Sequence, residues 1–279
     1  MRPVLRRGSR GYEVERLQQR LEALGFPPGR LDGRFGAATE AALLACQRAN
    51  GLLADGICGP MSWSLIEPGG RAAVSDVTQA VDVDLVSALF PFTPLGPIAR
   101  NLPAVLAGLR AFGLVEKPLV LAALATIRAE SEGFEPVEEQ LSRFNSSPGG
   151  HPFDLYDQRR DLGNRGAPDG ARFRGRGFVQ LTGRANYRRH GRLLGLDHAL
   201  LEEPELACEP AIAGRLLGSF LASRRLALKE ALFEGDLRRA RRLVNGGTHG
   251  LDRFTDAWRR GCVLLADPVW SGDREAVPA

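Results

Sequence analysis

The chain has 279 residues, of which 37 are basic and 33 acidic, and 44% of them are hydrophobic, as in an ordinary globular protein. An excess of only four positive charges gives no argument for a nucleic-acid partner, and no DNA or RNA motif accompanies the arginines. The sequence has no run of about 18 apolar residues, so we expect no membrane-spanning helix and no membrane partner. The length allows two domains that each bury a core.

The first 66 residues contain an internal repeat. After an opening turn, one face of a predicted helix carries four apolar residues, which are Val14, Leu17, Leu21 and Leu24. The segment Asp32-Gly-Arg-Phe-Gly36 precedes a predicted helix over 37–50, and Asp55-Gly-Ile-Cys-Gly59 precedes one that begins near Pro60, a period of 23 residues. Asp-Gly followed by Gly favours a tight turn. The sequence therefore predicts a small three-helix domain.

A short segment rich in helix breakers separates this domain from the rest of the chain. We predict a domain over residues 1–66, a linker over 67–79, a larger domain over 80–266 and a loose tail over 267–279. The larger domain is predicted to be mainly α-helical with a short β-hairpin, because apolar residues recur at helical spacing over much of it. The predicted helices are Val77–Leu89, Ile98–Phe112, Val115–Ser131, Pro210–Ser223, Leu237–Val244 and Phe254–Leu265.

Two glutamates nine residues apart, Glu130 and Glu139, are candidates for catalysis. The predicted helix ends near Glu130, and Gly133 and Pro136 then turn the chain, so Glu139 can face Glu130 across a cleft. Hydrolysis of a glycosidic bond requires a proton donor and a second carboxylate that activates water or attacks the sugar. A carboxyl group among apolar side chains suits the acid, and one on a polar loop suits the base. Glutamates at helix ends are also common on solvated surfaces.

The run from Phe173 to Tyr187 adds features of a carbohydrate site. Its glycines permit close approach of the backbone, and Phe178, Val179 and Leu181 predict a short buried strand. Beside them lie uncharged side chains of the kind that bind sugar hydroxyls or position a water: Gln180, Thr182 and Asn186. The alternative is a β-hairpin in which these side chains only hold loops in place.

Five ordered motifs in residues 80–266 resemble glycoside hydrolase family 19, which contains chitinases and phage-type endolysins. They are Ala129-Glu-Ser-Glu-Gly-Phe134, Val137-Glu-Glu-Gln-Leu141, Asp161-Leu-Gly-Asn164, Phe173-Arg-Gly-Arg-Gly-Phe-Val-Gln-Leu-Thr-Gly-Arg-Ala-Asn-Tyr187 and Val244-Asn-Gly-Gly247. The third motif is similar to that of the endolysin branch, which cuts the glycan of bacterial peptidoglycan. The resemblance implies a lysozyme-like, mostly helical catalytic domain.

The first 66 residues resemble the small peptidoglycan-binding module of cell-wall hydrolases, through the repeated Asp-Gly turns and the motif Cys46-Gln-Arg-Ala-Asn-Gly-Leu52. Most of that signature sets turns and fills a core. Arg34, Phe35 and Trp63 are candidates for wall contact, because they lie on or beside the repeated turns. The resemblance implies bacterial peptidoglycan as the partner of the protein, which we expect to be a monomer.

Carried over position by position, the family resemblance makes Glu130 the general acid and Glu139 the general base of an inverting hydrolysis of a β-1,4 glycosidic bond. Thr182 matches a hydroxyl residue that helps to hold the attacking water. The substrate-binding residues implied are Gln180, Asn186, Tyr187, Asn245 and Arg253, with the last two in a polar cluster that supports the second carboxylate. An inverting mechanism predicts a separation of roughly 6.5 to 9.5 Å between the two carboxyl groups.

Two positions depart from the family pattern. Many relatives have His immediately before the acid, where this chain has Ala129, so Arg128 is a candidate to replace the imidazole. The family often has an aromatic residue where Ala185 stands, which leaves other rings to stack on sugars, namely Phe173, Phe178 or Tyr187.

No cofactor and no metal ion are expected. The four cysteines have no zinc-ligand spacing, and the four histidines stand singly in the sequence. In an oxidising compartment Cys46 could pair with Cys58, and Cys208 with Cys262, while buried free thiols are the alternative.

The N-terminal residues lack the apolar stretch of a signal peptide. We therefore expect a protein made in the cytoplasm that acts on the cell wall after release by a phage-type pore or a secretion system. Two other functions stay open from the sequence: a chitinase, which shares the catalytic motif, and a non-catalytic wall-binding protein with a decayed hydrolase domain.

Overall fold

The computed structural model describes residues 2–50, 52–67 and 76–266. Contacts divide the chain into two compact units, Met1–Val74 and Ser75–Ala279, called here the N-terminal and the C-terminal unit. The described residues are mainly α-helical with one small two-stranded sheet, which confirms the predicted fold class. None of the helices in these ranges has the length and apolar character needed to span a bilayer.

The N-terminal unit is built from the three helices that the repeat predicts. They are α1 (Tyr12–Ala23), α2 (Ala37–Ala49) and α3 (Pro60–Ile66). Apolar side chains from all three helices form one core with Phe35 and Trp63, each of which is only 3% exposed. The prediction of wall contact through Phe35 and Trp63 is therefore wrong, because both rings fill the core of the unit. Arg34 is exposed.

One glutamine in each repeat holds the Asp-Gly turn that follows its helix. Gln18 on α1 donates its amide hydrogens to Asp32, to the Arg34 carbonyl and to Thr39, and its carbonyl oxygen accepts from the Gly33 N–H at 2.9 Å. A second glutamine, on α2, makes the corresponding contacts with the second turn; the residues are Gln47, Asp55, Gly56, Ile57 and Ser62. Each buried amide thus satisfies the polar groups of one turn.

The described part of the C-terminal unit contains eleven α-helices. They are α4 (Val83–Leu89), α5 (Leu95–Ala111), α6 (Lys117–Glu130), α7 (Asp154–Asp157), α8 (Asp169–Arg172), α9 (Arg184–Leu193), α10 (Ala199–Glu202), α11 (Pro210–Ala222), α12 (Arg225–Phe233), α13 (Leu237–Asn245) and α14 (Leu251–Leu264). Short 3-10 helices cover Val77–Ala80, Arg160–Leu162 and Pro204–Cys208.

The central helix of this unit is α6, and it ends at the first candidate carboxylate. Pro118 lies in its first turn, and every residue from Leu119 to Ala129 is buried. A helix that is apolar on all sides must be surrounded by other elements, and α14, α12, α11 and α4 pack around it. The backbone of Glu130, at the C-terminal residue of α6, is consequently attached to the most buried element of the unit.

Helices α5 and α11 approach each other closely because glycines lie at their contact. A Cβ atom on Gly108 would lie 2.0 Å from the carbonyl oxygen of Gly214, and one on Gly214 would lie 2.2 Å from the carbonyl oxygen of Ala104. Both distances are far shorter than any non-bonded contact, so side chains at these positions would separate the helices.

The β structure joins two segments that are distant in the sequence. Strand β1 (Val137–Glu138) pairs antiparallel with β2 (Arg176–Gly177), with Glu138 opposite Arg176. The strand predicted from Phe178, Val179 and Leu181 is wrong: residues 178–180 form a turn, closed by two backbone hydrogen bonds between Arg176 and Leu181. The three apolar side chains are buried, as predicted, because the turn folds into the core.

Several helix boundaries differ from the sequence expectations. The helix predicted over 77–89 is interrupted, because the Asp82 side chain accepts from the Leu85 N–H at 2.8 Å and begins a new helix there. Helices α9 and α12 were not predicted. Polar and basic residues dominate α9, which leaves too few apolar positions for a clear helical pattern. The predicted tail over 267–279 lies outside the described residues, as do residues 68–75 of the predicted linker.

Candidate active site

Glu130 contacts two polar side chains from α13. Its Oε1 atom lies 2.8 Å from a terminal nitrogen of Arg241 and accepts a hydrogen bond from Asn245 Nδ2 at 3.1 Å. Arg241 is fully buried, and its Nε donates to the His249 carbonyl at 2.8 Å. The Glu130 side chain is 11% exposed, so it remains accessible beside a buried positive charge. This environment is charged, in contrast to the apolar surroundings that the sequence predicted for this carboxyl group.

Glu139 lies immediately after β1 and is held by three hydrogen-bond donors. Its Oε1 accepts from Asn145 Nδ2 at 3.0 Å and from the Tyr156 hydroxyl at 2.8 Å, while its Oε2 accepts from the Gly175 N–H at 3.0 Å. Burial, and then the hydrogen bond to Glu139, raise the pKa of Tyr156, so the phenol keeps its proton and acts as the donor. Glu139 is therefore oriented by fixed partners, as expected of a base.

Three side-chain oxygens converge on the space above Gly175. A Cβ atom placed there would lie 2.8 Å from Gln180 Oε1, 3.1 Å from Glu139 Oε2 and 3.2 Å from Thr182 Oγ1. Because Gly175 has no side chain, these three oxygens can approach its Cα closely. A carboxylate oxygen, an amide oxygen and a hydroxyl group therefore cluster beside Gly175, and groups of these types bind and orient water. The structure thus brings together Glu139, Thr182 and Gln180.

Gln180 is held in a strained conformation that directs its side-chain carbonyl oxygen towards Gly175. Its φ of 49° lies in the left-handed region, which is costly for a residue with a side chain. The side-chain amide donates to the carbonyl oxygens of Val137 at 2.9 Å and Gly177 at 3.1 Å. With its nitrogen bound to the two strands, the amide presents its oxygen to the Gly175 side.

Glu138, the neighbour of Glu139, is part of an ion-pair network on the two strands. Arg176 donates to it at 2.6 Å, and Arg174 donates to its other oxygen. Although burial opposes its charged form, the hydrogen bonds from Arg176 and Arg174 hold the pKa of Glu138 below its usual value. Arg174 and Arg176, with Glu202, also line an open cavity of about 420 Å³. This network fixes the pairing of β1 with β2 and thereby the position of Glu139.

Tyr187 is a core residue and offers no surface to a substrate. The side chain is fully buried, its hydroxyl donates to the Arg174 carbonyl at 2.8 Å, and Arg176 donates to the same hydroxyl at 3.1 Å. Phe173 and Phe178 are also fully buried. The prediction that Tyr187, or one of these two rings, binds a sugar is wrong, because apolar burial holds all three inside the protein.

Asn186 and the C-terminal candidates take positions that the sequence did not specify. Asn186 Nδ2 donates to the Thr182 carbonyl at 2.7 Å, across the first turn of α9, and the side chain is half-buried. Asn245 contacts Glu130 and not Glu139, so the expected support of the second carboxylate by this residue is wrong. Arg253 lies 3.8 Å from Glu132.

Arg128 does not replace the missing histidine. Its side chain is buried, pairs with Asp256 at 3.5 Å and lies over the Phe90 ring, since two positions along a helix rotate a side chain away from Glu130. Ala129 is buried where the backbone at Gly250 approaches it: a Cβ atom on Gly250 would lie 3.2 Å from the Ala129 Cβ. The residue that contacts Glu130 electrostatically is Arg241.

Asn145, Tyr156 and Arg241 were missed by the sequence analysis. Asn145 and Tyr156 lie on irregular loops or a single helical turn, where no periodicity indicates which way a side chain faces. Arg241 belongs to the basic helix α13, whose sequence resembles a solvated surface. A signal was available for Arg241, since it lies four residues before Asn245 and therefore on the same helix face.

The described residues contain no group of three or more His, Cys, Asp or Glu side chains arranged to hold a metal ion. Cys46, Cys58 and Cys208 are free thiols, so neither the Cys46–Cys58 nor the Cys208–Cys262 disulfide considered from the sequence is formed. Burial raises the pKa of the Cys46, Cys58 and Cys208 thiols, which keeps them protonated.

Comparison with known proteins finds similarity in the N-terminal unit. Residues 10–66 match the family described as "Putative peptidoglycan binding domain", which supports peptidoglycan as a partner of this chain. A curated relative, the N-acetylmuramoyl-L-alanine amidase CwlM of Mycobacterium tuberculosis, is 56% identical over 50 residues, or 18% of this chain. The match spans 12% of the length of that amidase.

Two solved structures are similar to this chain at low sequence identity. Chitinase C from Streptomyces griseus HUT6037 has a TM-score of 0.48 and 21% identity, over 70% of this chain and 80% of the chitinase. The Burkholderia AP3 phage endolysin has a TM-score of 0.25 and 21% identity, over 94% of this chain and 100% of the endolysin.

Proposed function

We propose that this protein hydrolyses the glycan strands of bacterial peptidoglycan by general acid and base catalysis with inversion. The observation that carries the proposal is the cluster beside Gly175, where oxygens of Glu139, Thr182 and Gln180 lie within 2.8 to 3.2 Å of the position that a Cβ on Gly175 would take. A water bound by these three groups would have a carboxylate to accept its proton and two further oxygens to orient it. A mechanism that activates water requires such an arrangement, and a purely structural loop does not.

Each carboxyl group has one role in the proposed reaction. In the substrate-free protein Glu130 is the carboxylate partner of Arg241, and it takes up a proton from solvent when the glycan binds. Glu139 then removes a proton from the water as the water oxygen attacks the anomeric carbon, and Glu130 gives its proton to the leaving sugar oxygen. The departing proton leaves Glu130 negatively charged, and the guanidinium of Arg241 at 2.8 Å stabilises that charge. Solvent then returns both groups to their starting protonation states. A separation of roughly 6.5 to 9.5 Å between the two carboxyl groups stays a prediction of this mechanism.

The N-terminal unit supports peptidoglycan as the substrate. A domain that holds the wall polymer raises the local concentration of glycan near the second unit, and the linked units then act on one polymer. The same motifs would serve a chitinase, for which the polymer is chitin. Release through a pore or a secretion system, and action as a monomer, stay predictions.

Digestion of purified sacculi, followed by mass spectrometry of the products, tests the proposal. New reducing sugar ends are expected, together with loss of turnover in Glu130→Gln and in Glu139→Gln. Glu135→Gln is the matched control, since that glutamate lies between the two and pairs with Arg100 on the surface. Cleavage of amide bonds instead of sugar bonds would reject the glycosidase. Faster hydrolysis of colloidal chitin would favour a chitinase, and binding without turnover of either polymer would identify a decayed enzyme.

A further inference from the structure

The loop over residues 140–147 is attached to the candidate base and carries two exposed side chains. Asn145 is fully buried and anchors the loop: its Nδ2 donates to Glu139 Oε1 and to the Gln140 carbonyl, and its Oδ1 accepts from the Ser142 N–H at 2.9 Å. Phe144, the residue before Asn145, is 74% exposed. Phe144 is therefore an exposed residue directly adjacent in the sequence to a hydrogen-bond donor to Glu139.

Arg143 lies over the Phe144 ring, with its guanidinium carbon 4.9 Å from the ring centroid. Both side chains are exposed, and Arg143 forms no ion pair with any acidic residue of the described ranges. This distinguishes it from Arg174, Arg176 and Arg241, whose charges are matched by Glu138 or Glu130. Stacking on the ring restricts the guanidinium while its N–H edges stay in water, where they can receive a planar anion.

Neutral glycans and peptidoglycan differ in the chemistry that such a group would detect. Chitin carries no charge along its strand, whereas peptidoglycan carries a short acidic peptide on alternate sugars, with free carboxylates close to the glycan. A guanidinium binds a carboxylate through two parallel hydrogen bonds. An unpaired guanidinium on the loop that is anchored to the candidate base therefore matches the peptide-bearing polymer.

We propose that Arg143, held by Phe144, is a specificity-determining residue that binds a stem-peptide carboxylate of the glycan strand being cleaved. The inference rests on the proposed function and adds to it the part of the substrate that Arg143 would bind. The pair contacts the peptide, and the glycan itself is bound without it.

Turnover by the full chain on two substrates tests the inference. One is a set of soluble peptide-bearing glycan fragments, and the other is the same fragments after an amidase has removed the peptides. We expect Arg143→Gln to lower kcat/KM on the peptide-bearing fragments about fivefold, mainly through KM, as a solvent-exposed charge pair allows. On the stripped fragments kcat/KM should stay at the wild-type value. Phe144→Leu should cause a smaller loss with the same selectivity, since it frees the guanidinium without removing its charge.

Arg188→Gln is the matched control, because Arg188 is exposed on α9 without an ion pair among the described residues. This variant should have the wild-type kcat/KM on both substrates. If Arg143→Gln loses kcat/KM equally on the two substrates, or on neither, the inference is overturned. The proposed function still stands in that case, because the wild-type protein cleaves the fragments. Absence of wild-type turnover on both substrates would reject the proposed function and the inference together.

Discussion

Tyr156 donates its hydroxyl hydrogen to Glu139 Oε1 across 2.8 Å, from a helix seventeen residues further along the chain. Asn145 Nδ2 donates to the same oxygen. In turn, the Leu155 N–H donates to the Asn145 backbone carbonyl at 3.3 Å. The turn of α7 and the loop over 140–147 are therefore joined at the candidate base. These contacts hold the Glu139 side chain through Oε1, while the Gly175 N–H holds it through Oε2.

Removal of this hydroxyl group should impair catalysis more than folding. We expect Tyr156→Phe to lower kcat about tenfold, because a hydrogen bond to a charged group contributes roughly 1.5 to 3 kcal/mol. Tyr12→Phe, an exposed tyrosine of the N-terminal unit, is the control. Unchanged kcat in Tyr156→Phe would show that Asn145 and Gly175 suffice to orient the base.

A methyl group at position 175 should displace the groups proposed to bind the attacking water. Gly175→Ala places a carbon 2.8 Å from Gln180 Oε1 and 3.1 Å from Glu139 Oε2, so these oxygens must move away from their present positions. We expect kcat to fall at least about 100-fold, since a misplaced reacting group costs roughly that factor. Gly96→Ala, which meets no atom within 4 Å, is the control. Full activity in a folded Gly175→Ala protein would place the water elsewhere.

Glu130 should contribute to stability as well as to catalysis. In Glu130→Gln the fully buried Arg241 loses its carboxylate partner, which should reduce the free energy of unfolding by about 3 kcal/mol. The double variant Glu130→Gln/Arg241→Met removes the unpaired charge, so it should recover most of that stability and remain inactive. Chemical unfolding and glycan turnover measure the two effects separately. An equally unstable double variant would show that Arg241 is needed for packing.

Acid should weaken the packing of α9 against α11 through His190. Burial lowers the pKa of His190 to about 4, helped by the nearby charges of Arg189 and Arg224, and its Nδ1 lies 2.8 Å from Ser219 Oγ. Between pH 6.5 and pH 4 the unfolded chain binds a proton that the folded state does not, so stability falls as the pH is lowered. The loss of unfolding free energy from this group reaches about 3 kcal/mol by pH 4.

Hydrogen exchange of the α9 and α11 amides at pH 7 and pH 4.5 measures this effect. His190→Gln lacks the titrating group, so its loss of protection on acidification should be smaller than that of the wild type. Equal losses in both proteins would assign the acid sensitivity to other groups.

A methyl group on Gly108 should destabilise the C-terminal unit. The carbonyl oxygen of Gly214 lies 2.0 Å from the new Cβ, and a backbone atom cannot rotate away, so α5 and α11 must separate. We expect Gly108→Ala to lose up to about 3 kcal/mol of unfolding free energy. Gly96→Ala, on the same helix with open space, serves as the control in thermal unfolding. Equal stabilities would mean that the two helices can shift at no cost.

The sequence predicted those features that depend on apolar periodicity and on helix-breaking or turn-forming residues. The helix ending at Glu130 follows from continuous apolar spacing, Pro118 and Gly133, and the three-helix unit follows from its repeated Asp-Gly turns. Tertiary contacts decided the rest. Tyr187 has the residue type of a sugar-binding ring, but burial of its ring and hydroxyl group makes it a core residue. No local pattern indicates that Arg241, on a basic helix, turns inward to Glu130.

The paired glutamines of the N-terminal unit, Gln18 and Gln47, make the two Asp-Gly turns independent of each other in their side-chain hydrogen bonding. Each amide is saturated by its own turn and by the start of the next helix. Loss of one glutamine would therefore orphan the backbone groups of its own turn and leave the hydrogen bonds of the other glutamine in place.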